Sequence, residues 1–197
     1  MRVIGKILYI FEEFIQKSFY KLFRESAIKS SLGSCGKNVH ISRNTDIQGI
    51  KNIFIGNDVS LGFGATLWTT KAKIYIEDKV IVGPGLTIIT GDHKINTIGK
   101  YIADITGAEK DPENDQDVII KRDVWIGSNV TILKGVTIAE GCVIGGGTVL
   151  TKSTEPYGIY VGVPGKRKKE RFNAKQIIKH KDKLNIKTVP LFNKKYV

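Results

Sequence analysis

The chain is poor in the residues that build disulfide frameworks and metal centres. Its 197 residues include two cysteines, Cys35 and Cys142, and three histidines, His40, His93 and His180, all isolated along the sequence. A zinc site needs several such ligands at close spacing, and a disulfide scaffold needs cysteine pairs. We therefore expect no metal, and the scarcity of cysteine fits a reducing cytoplasm.

The chain also lacks an apolar run long enough to cross a bilayer, and its first thirty residues show no signal-peptide cleavage site. Apolar residues nevertheless recur there at helical spacing: Ile4, Ile7, Leu8, Phe11, Phe14, Ile15, Phe19, Leu22 and Phe23. The pattern predicts an amphipathic helix that packs against the rest of the protein or a neighbouring subunit. Peripheral contact with the inner face of the membrane is the alternative.

What the chain has instead is a six-residue period. Aliphatic residues stand at every sixth position, as Ile120, Ile126, Ile132, Ile138, Ile144 and Leu150. Four residues after each comes a smaller side chain: Val124, Val130, Val136, Cys142, Thr148 and Thr154. This period fits neither an amphipathic helix nor an alternating strand. It predicts a mainly β protein, a parallel β-helix that turns a corner after every six residues, with three strands in each coil.

The same period divides the chain into segments. Earlier runs place the predicted β-helix over residues 38–165, after a helical segment at 1–37 and before a basic helical tail at 166–197. Because the period stops between Ile88 and Ile120, we expect an inserted loop over residues 89–119.

The net charge of +12 is concentrated at the two ends of the chain. Residues 166–197 hold twelve Lys and Arg against two acids, and residues 1–37 hold seven against three. The segment between them is therefore nearly neutral, which argues against a nucleic-acid-binding surface spread over the coil. The basic tail can still meet phosphate, in a small ligand or a lipid headgroup.

His93 is the strongest candidate for a catalytic residue. It stands near the start of the inserted loop, in the run Gly91-Asp92-His93. A histidine at the mouth of a protruding loop can stay partly hydrated and act as a base near neutral pH. We expect His40 and His180 to be ordinary surface histidines.

Three segments, 124–130, 143–152 and 161–166, resemble hexapeptide-repeat acyltransferases, above all the galactoside, maltose and bacterial polysaccharide O-acetyltransferases. This resemblance implies a left-handed coil, a homotrimer and active sites between neighbouring subunits. It also implies that His93 removes the proton from an acceptor hydroxyl, which then attacks the thioester of acetyl-CoA.

The resemblance further assigns residues to acetyl-CoA, its co-substrate. Trp125 and Ser128 would flank the thiol-bearing arm, Gly146 would contact the pantetheine, and Thr151 and Lys152 would meet the adenosine-phosphate end. Lys166 and Lys169 stand where sugar acetyltransferases often carry arginine, and lysine keeps the charge but loses the planar fork.

The sequence thus predicts a cytoplasmic acetyl-CoA-dependent sugar O-acetyltransferase in surface polysaccharide or lipopolysaccharide biosynthesis. The asparagine-bearing acceptor pocket of the galactoside enzymes is missing from residues 62–66, which favours a lipid-linked or nucleotide-linked sugar over a free disaccharide. Two alternatives stay open. One is an acetyltransferase for serine, an amino sugar or an antibiotic, and the other is a non-catalytic trimeric β-helix scaffold.

Overall fold

The computed structural model describes residues 2–185, so residues 186–197 of the predicted tail lie outside the described residues. The helices are α1 (Arg2–Phe19), α2 (Glu25–Ser31) and α3 (Ala174–Lys183), and a π-helical turn, Tyr20–Arg24, joins the first two. The strands are β1 Ser34–Cys35, β2 His40–Ile41, β3 Asp46–Gln48, β4 Ile53–Ile55, β5 Ser60–Leu61, β6 Thr66–Trp68, β7 Ile74–Ile76, β8 Ile81–Val82, β9 Thr87–Ile89, β10 Val118–Ile120, β11 Trp125–Ile126, β12 Thr131–Leu133, β13 Thr137–Ile138, β14 Val143–Ile144, β15 Val149–Leu150, β16 Gly158–Val161 and β17 Lys166–Glu170.

These strands form three sheets, and from β1 to β15 the paired strands are three places apart along the chain, while β14 pairs with β16. Sheet I has the order β1-β4-β7-β10-β13, sheet II the order β17-β16-β14-β11-β8-β5-β2, and sheet III the order β15-β12-β9-β6-β3. The pairing is parallel up to β16 and keeps equivalent positions in register, so that Ile120 lies between Ile76 and Ile138. The predicted parallel β-helix with three strands per coil is confirmed.

The interior is the predicted aliphatic column. All six aliphatic residues from Ile120 to Leu150 are buried, as are the six smaller residues from Val124 to Thr154. Burial of each large aliphatic side chain contributes about 1.5–3 kcal/mol. Because the column runs through every coil, it holds the three sheets together along their whole length.

The corners have a local cause in the sequence. The residue just before each small inward residue repeatedly has a positive φ, as at Asn129 (55°) and Gly135 (74°). Asn, Asp and Gly tolerate this left-handed conformation better than other residues do. One residue of this kind per hexapeptide turns the chain into the next sheet without interrupting the hydrogen bonds between coils.

Helix α1 contacts the coil through its polar face. The guanidinium of Arg43 lies 3.2 Å from Glu13 Oε2 and donates to Gln16 Oε1 at 3.1 Å, and the Tyr20 hydroxyl donates to the Ser42 carbonyl. The predicted apolar stripe is exposed, with Phe14 67% accessible. The helix therefore does not pack its apolar face against its own coil. None of the described helices has the length and hydropathy needed to cross a membrane.

Helix α2 covers the first coil. Its Glu25 carboxylate is buried and accepts hydrogen bonds from Lys29 Nζ at 2.7 Å and from the Ile41 amide at 3.0 Å. It also lies 3.1 Å from Nδ1 of His40, whose side chain is largely exposed. Burial acts to raise the pKa of Glu25, but the bonds from Lys29 and Ile41 outweigh it and the pKa is lowered. Glu25 thus accepts the hydrogen bond of the Ile41 amide on β2, the end strand of sheet II.

The C-terminal segment begins as a strand and becomes helical only at Ala174. β17 runs antiparallel to β16, with Lys169 opposite Ile159, and so covers the last open edge of sheet II. α3 then follows as the predicted helix. Since β2 and β17 are the two ends of sheet II, the basic segment and α1 lie at opposite ends of the coil.

His180 is not the surface histidine that the sequence suggested. Its ring packs against Tyr157 and Phe172, at centroid distances of 6.2 and 5.1 Å. The Nε2 atom is buried, 3.6 Å from Asp123 Oδ2. The aromatic pair on one side of α3 draws the ring inward, so His180 helps to hold α3 on the coil.

Candidate functional site

The inserted loop is tied together where it leaves and re-enters the coil. Strand β9 ends at Ile89 and strand β10 begins at Val118, so residues 90–117 form the loop. The Asp92 amide donates to the Asn114 carbonyl at 2.9 Å, and the Gln116 amide donates to the Thr90 carbonyl at 2.9 Å. Residues 90–117 therefore leave the coil as a loop, and the two ends of this loop hold each other at the surface of sheet III.

Asp92, the residue before His93, is fixed from two sides. Its carboxylate lies 2.7 Å from the Lys134 ammonium and accepts a 2.7 Å hydrogen bond from the Asn114 amide. Lys134 also donates to the Glu113 carbonyl at 2.6 Å. Partial burial acts to raise the pKa of Asp92, but the bonds from Lys134 and Asn114 lower it overall. Asp92 is thus a charged anchor for the start of the loop.

Gly91 allows the loop to pass close to a second carboxylate. A Cβ atom built on Gly91 would collide with Oδ1 of Asp115. That oxygen accepts from the Thr70 hydroxyl at 3.3 Å, and the Lys110 ammonium lies 3.4 Å from the same carboxylate. A side chain at position 91 would therefore displace the turn that delivers Asp92 and His93.

His93 lies at a cleft of about 490 Å³ between the loop and sheet III. The cleft is lined by Gln48, Trp68, Thr69, Thr70, Ile89, Thr90, Gly91, Asp92, His93 and Lys110. The His93 side chain is exposed, and its ring makes no hydrogen bond within residues 2–185. A ring nitrogen is thus available to accept a proton from a bound molecule, which is the geometry that a general base requires.

Trp125 and Lys169 share the outer face of sheet II. Trp125 is 56% exposed on β11, and the register runs from it through Val143 and Ile159 to Lys169. Three strand spacings separate the two residues, about 14 Å. A flat aromatic surface and a cation are therefore aligned along the coil axis. Lys166 lies on the same outer strand, opposite Val161.

Ser128 and Gly146 meet at the corner between sheets II and III. The Gly147 amide donates to the Ser128 carbonyl at 2.8 Å, and a Cβ atom on Gly146 would lie 3.2 Å from that oxygen. At Gly127, the residue before Ser128, a Cβ atom would lie 2.6 Å from the same Gly146, at its amide nitrogen. Stacked glycines thus leave an exposed strip of backbone beside Trp125.

Thr151 and Lys152 lie elsewhere. Both are exposed directly after β15, at the far side of sheet III from the glycine corner. The outer faces of neighbouring sheets in a three-sided coil point about 120° apart, since three sheets close one turn. Within one chain the predicted acetyl-CoA residues therefore occupy two faces, and His93 stands over sheet III while Trp125 stands on sheet II.

The sequence interpretation missed Trp68. This residue lies on β6 in the cleft with His93, is 39% exposed, and donates its indole N–H to Asp46 Oδ2 at 3.0 Å. The signal was available, because Trp68 directly follows the inward Leu67 and must therefore point outward. A large aromatic residue on the outside of a coil contributes nothing to the core.

Comparison with known proteins shows what the chain is similar to. The family model for the bacterial transferase hexapeptide (six repeats) matches residues 117–152. The chain is similar to a maltose O-acetyltransferase from Clostridium difficile 630, with 28% identity and a TM-score of 0.64 over 76% of this chain and 75% of that chain. Comparison with curated proteins gives no match.

Two further solved structures share the fold. One is a hexapeptide-repeat-containing acetyltransferase from Vibrio cholerae O1 biovar eltor, complexed with acetyl coenzyme A, with 24% identity and a TM-score of 0.66 over 76% of this chain and 77% of that chain. The other is AntD, an N-acyltransferase from Bacillus cereus in complex with dTDP and 3-hydroxybutyryl-CoA, with 23% identity and a TM-score of 0.60 over 82% and 94% of the two chains.

The repeats, the coil and these likenesses confirm the resemblance inferred from the sequence. The chain is similar to hexapeptide-repeat acyltransferases in its repeats over residues 117–152 and in its fold.

Proposed function

We propose that the protein is an acetyl-CoA-dependent O-acetyltransferase that modifies a sugar hydroxyl, with His93 as general base. The observation that carries the proposal is the exposed His93 ring at the cleft, next to the anchored Asp92. The likeness to a maltose O-acetyltransferase supports oxygen as the acceptor atom. We place the reaction in surface polysaccharide or lipopolysaccharide biosynthesis.

The reaction proceeds by direct transfer. His93 removes the proton from the acceptor hydroxyl as its oxygen attacks the thioester carbonyl of acetyl-CoA. The C–S bond breaks, the acetyl group stays on the sugar oxygen, and the imidazolium returns its proton to the CoA thiolate. The products are the acetyl ester and free CoA. A positioned general base of this kind contributes about 10² to 10⁴ in rate.

Acetyl-CoA fits the residues that the resemblance assigned to it. The exposed backbone strip at Gly146 and Ser128 suits the pantetheine arm, with Trp125 beside it. Lys166 and Lys169 on sheet II would supply charge for the phosphates. Thr151 and Lys152 follow sheet III, so they would reach the same acetyl-CoA only from a neighbouring subunit.

We further propose that the coil is left-handed and that the active protein is a homotrimer with sites between subunits. The support is geometric, since His93 and Trp125 lie over different outer faces of one chain. Two faces that diverge within one chain can come together when sheet III of one subunit meets sheet II of its neighbour. A trimer then contains three such clefts, each using His93 from one subunit and Trp125 from the next.

We also propose that α1 lies on the inner surface of an anionic membrane. Its polar face is bonded to Arg43, so its apolar stripe points away from the coil. Three cations on this segment, Lys6, Lys21 and Arg24, form no ion pair within residues 2–185. An exposed apolar stripe accompanied by cations binds anionic lipid surfaces. A lipid-linked acceptor would then be met at the membrane.

Two measurements test the assembly and the location. Light scattering should give the mass of a trimer. Sedimentation with vesicles should show binding to phosphatidylcholine–phosphatidylglycerol mixtures and not to phosphatidylcholine alone, and Phe11→Glu with Phe14→Glu should abolish it. If the double variant leaves vesicle binding unchanged and dissociates the trimer, α1 packs between subunits and the membrane proposal is wrong.

The activity is tested by acetyl-CoA-dependent thiol release across free, nucleotide-linked and lipid-linked sugars, with amino sugars and serine as comparison acceptors. We expect release with a hydroxyl-bearing sugar, and a loss of about 10² to 10⁴ in kcat for His93→Ala. His40→Ala is the matched control and should retain activity. Release that His93→Ala leaves unchanged would refute the base assignment, and release with serine alone would refute the sugar acceptor.

A further inference from the structure

Trp68 is the largest apolar side chain in the cleft that contains His93. The parallel register of sheet III places it between Gln48 on β3 and Ile89 on β9. All three residues line the cleft, so they form one outward column beneath the loop. Trp68 is 39% exposed there, so part of its ring faces the cleft, and apolar rings with a few polar neighbours are typical of small-molecule sites.

The indole is held in one orientation. Its N–H is the only hydrogen-bond donor of the side chain, and it is directed to Asp46 Oδ2 at 3.0 Å. Asp46 belongs to β3, the strand next to β6. Because the N–H is engaged along the sheet, what the ring offers to the cleft is its carbon surface.

Polar groups surround this surface. The amide of Gln48 and the hydroxyl of Thr70 lie on the coil side, and the ammonium of Lys110 lies on the loop side, close to Asp115. The cleft therefore combines one aromatic plate with hydrogen-bonding groups at its rim. Sites that orient a small molecule are built in this way.

We infer that Trp68 is the platform on which the acceptor rests, and that the acceptor is a pyranose ring. This inference depends on the proposed function and names its substrate class. The face of a pyranose carries C–H bonds with a partial positive charge, which match the electron-rich face of an indole. Its hydroxyl groups project from the ring edge toward the rim and His93. A flexible chain such as serine has no such face.

Binding can be tested without any transfer reaction. The chain has two tryptophans, Trp68 and Trp125, so Trp125→Phe leaves Trp68 as the only indole fluorophore. This variant is titrated with methyl α-D-glucopyranoside and methyl β-D-galactopyranoside in the absence of acetyl-CoA, with sorbitol and L-serine as controls. We expect a saturable change in Trp68 emission with a pyranoside and none with sorbitol or serine. An equal response to sorbitol, or no response to either ring compound, would overturn the inference.

Kinetics provide the second test, with the acceptor that gives thiol release in the unaltered protein. We expect Trp68→Ala to raise the acceptor KM about tenfold while the acetyl-CoA KM stays the same. Trp68→Phe keeps an aromatic ring, so its acceptor KM should stay close to that of the unaltered protein. Leu133→Ala is the matched control, because Leu133 is exposed on the same sheet and lies outside the cleft.

The two proposals fail in different ways. An unchanged acceptor KM in Trp68→Ala, together with normal release in the unaltered protein, would refute the platform and leave the transferase intact. If no acceptor gives release, the proposed function is wrong, and the fluorescence titration still decides whether Trp68 binds a pyranose.

Discussion

The Lys134 ammonium lies 2.7 Å from the Asp92 carboxylate, so a cation just after β12 holds the residue next to His93. We regard Lys134 as a positioning residue and expect Lys134→Met to lower kcat by about 10- to 100-fold, because a small displacement of a catalytic group is costly. The acetyl-CoA KM should not change. Lys134→Arg keeps the positive charge, so its kcat should stay close to that of the unaltered protein.

Lys79→Met is the control for this prediction. Lys79 also pairs with a carboxylate, Asp58 at 2.8 Å, but on an exposed part of the coil. Such pairs contribute little, and kcat should stay the same. If the two methionine variants behave alike in steady-state kinetics, Lys134 does not position the base.

The proposed acetyl-CoA contacts predict variants that change the acetyl-CoA KM and leave the acceptor KM unchanged. We expect Trp125→Ala and Lys169→Ala to raise the acetyl-CoA KM, because each removes a contact from the outer face of sheet II, and to leave the acceptor KM unchanged. Lys169→Arg should keep the charge and therefore most of the affinity. Initial rates at varied acetyl-CoA check this, and a change confined to the acceptor KM would place both residues in the wrong site.

The glycine corner predicts an effect on stability. A Cβ atom at position 127 would meet the backbone of Gly146, 2.6 Å from its nitrogen and 3.0 Å from its Cα. We expect Gly127→Ala to lower the free energy of unfolding by about 1–3 kcal/mol, since backbone must move to make room. Gly107→Ala is the control, with nothing within 4 Å of the new Cβ. Equal denaturation midpoints for the two variants would contradict the predicted close contact.

Glu25 predicts a dependence of stability on pH. Its pKa is lowered in the folded protein, so its stabilising contribution is complete above the ordinary value of 4.5 and is lost as the pH falls toward the folded value. At neutral pH we expect Glu25→Gln to lower the free energy of unfolding by about 1–2 kcal/mol, because a buried charged acceptor is lost.

The difference between Glu25→Gln and the unaltered protein should shrink as the pH is lowered below 4.5. Urea denaturation at a series of pH values measures it. Glu113→Gln is the control, since that side chain is exposed and makes no ion pair or hydrogen bond within residues 2–185. A difference that stays constant with pH would show that Glu25 acts by packing alone.

The coil was predictable because its signal is repeated. Each hexapeptide carries the same information, an inward aliphatic residue and a small residue four positions later, and every one of these residues from Ile120 to Thr154 is buried. The loop was predictable for the converse reason, since it interrupts that repeat. His93 was proposed as the base because of its place in the loop together with the resemblance.

Contacts between distant residues were not predictable in the same way. Nothing in the sequence indicated that Lys134 would reach Asp92, or that Asp46 would hold Trp68, because each pair lies in different coils. His180 was taken for a surface residue because the helical pattern around it says nothing about Tyr157 and Phe172. The strand at 166–170 was missed because its lysine-rich composition is not typical of a strand.

The sequence by itself determined the period, and with it the coil, its core and the place of the loop, because stacking equivalent residues is the only way such a repeat buries its aliphatic side chains. Only the tertiary structure decided which outward residues share a face. It separated Trp125 from His93 by a corner, placed Trp68 beneath the loop, and turned the apolar face of α1 away from the coil. Those outcomes depend on how far each corner rotates the chain and on which distant strands become neighbours, and both are properties of the assembled coil.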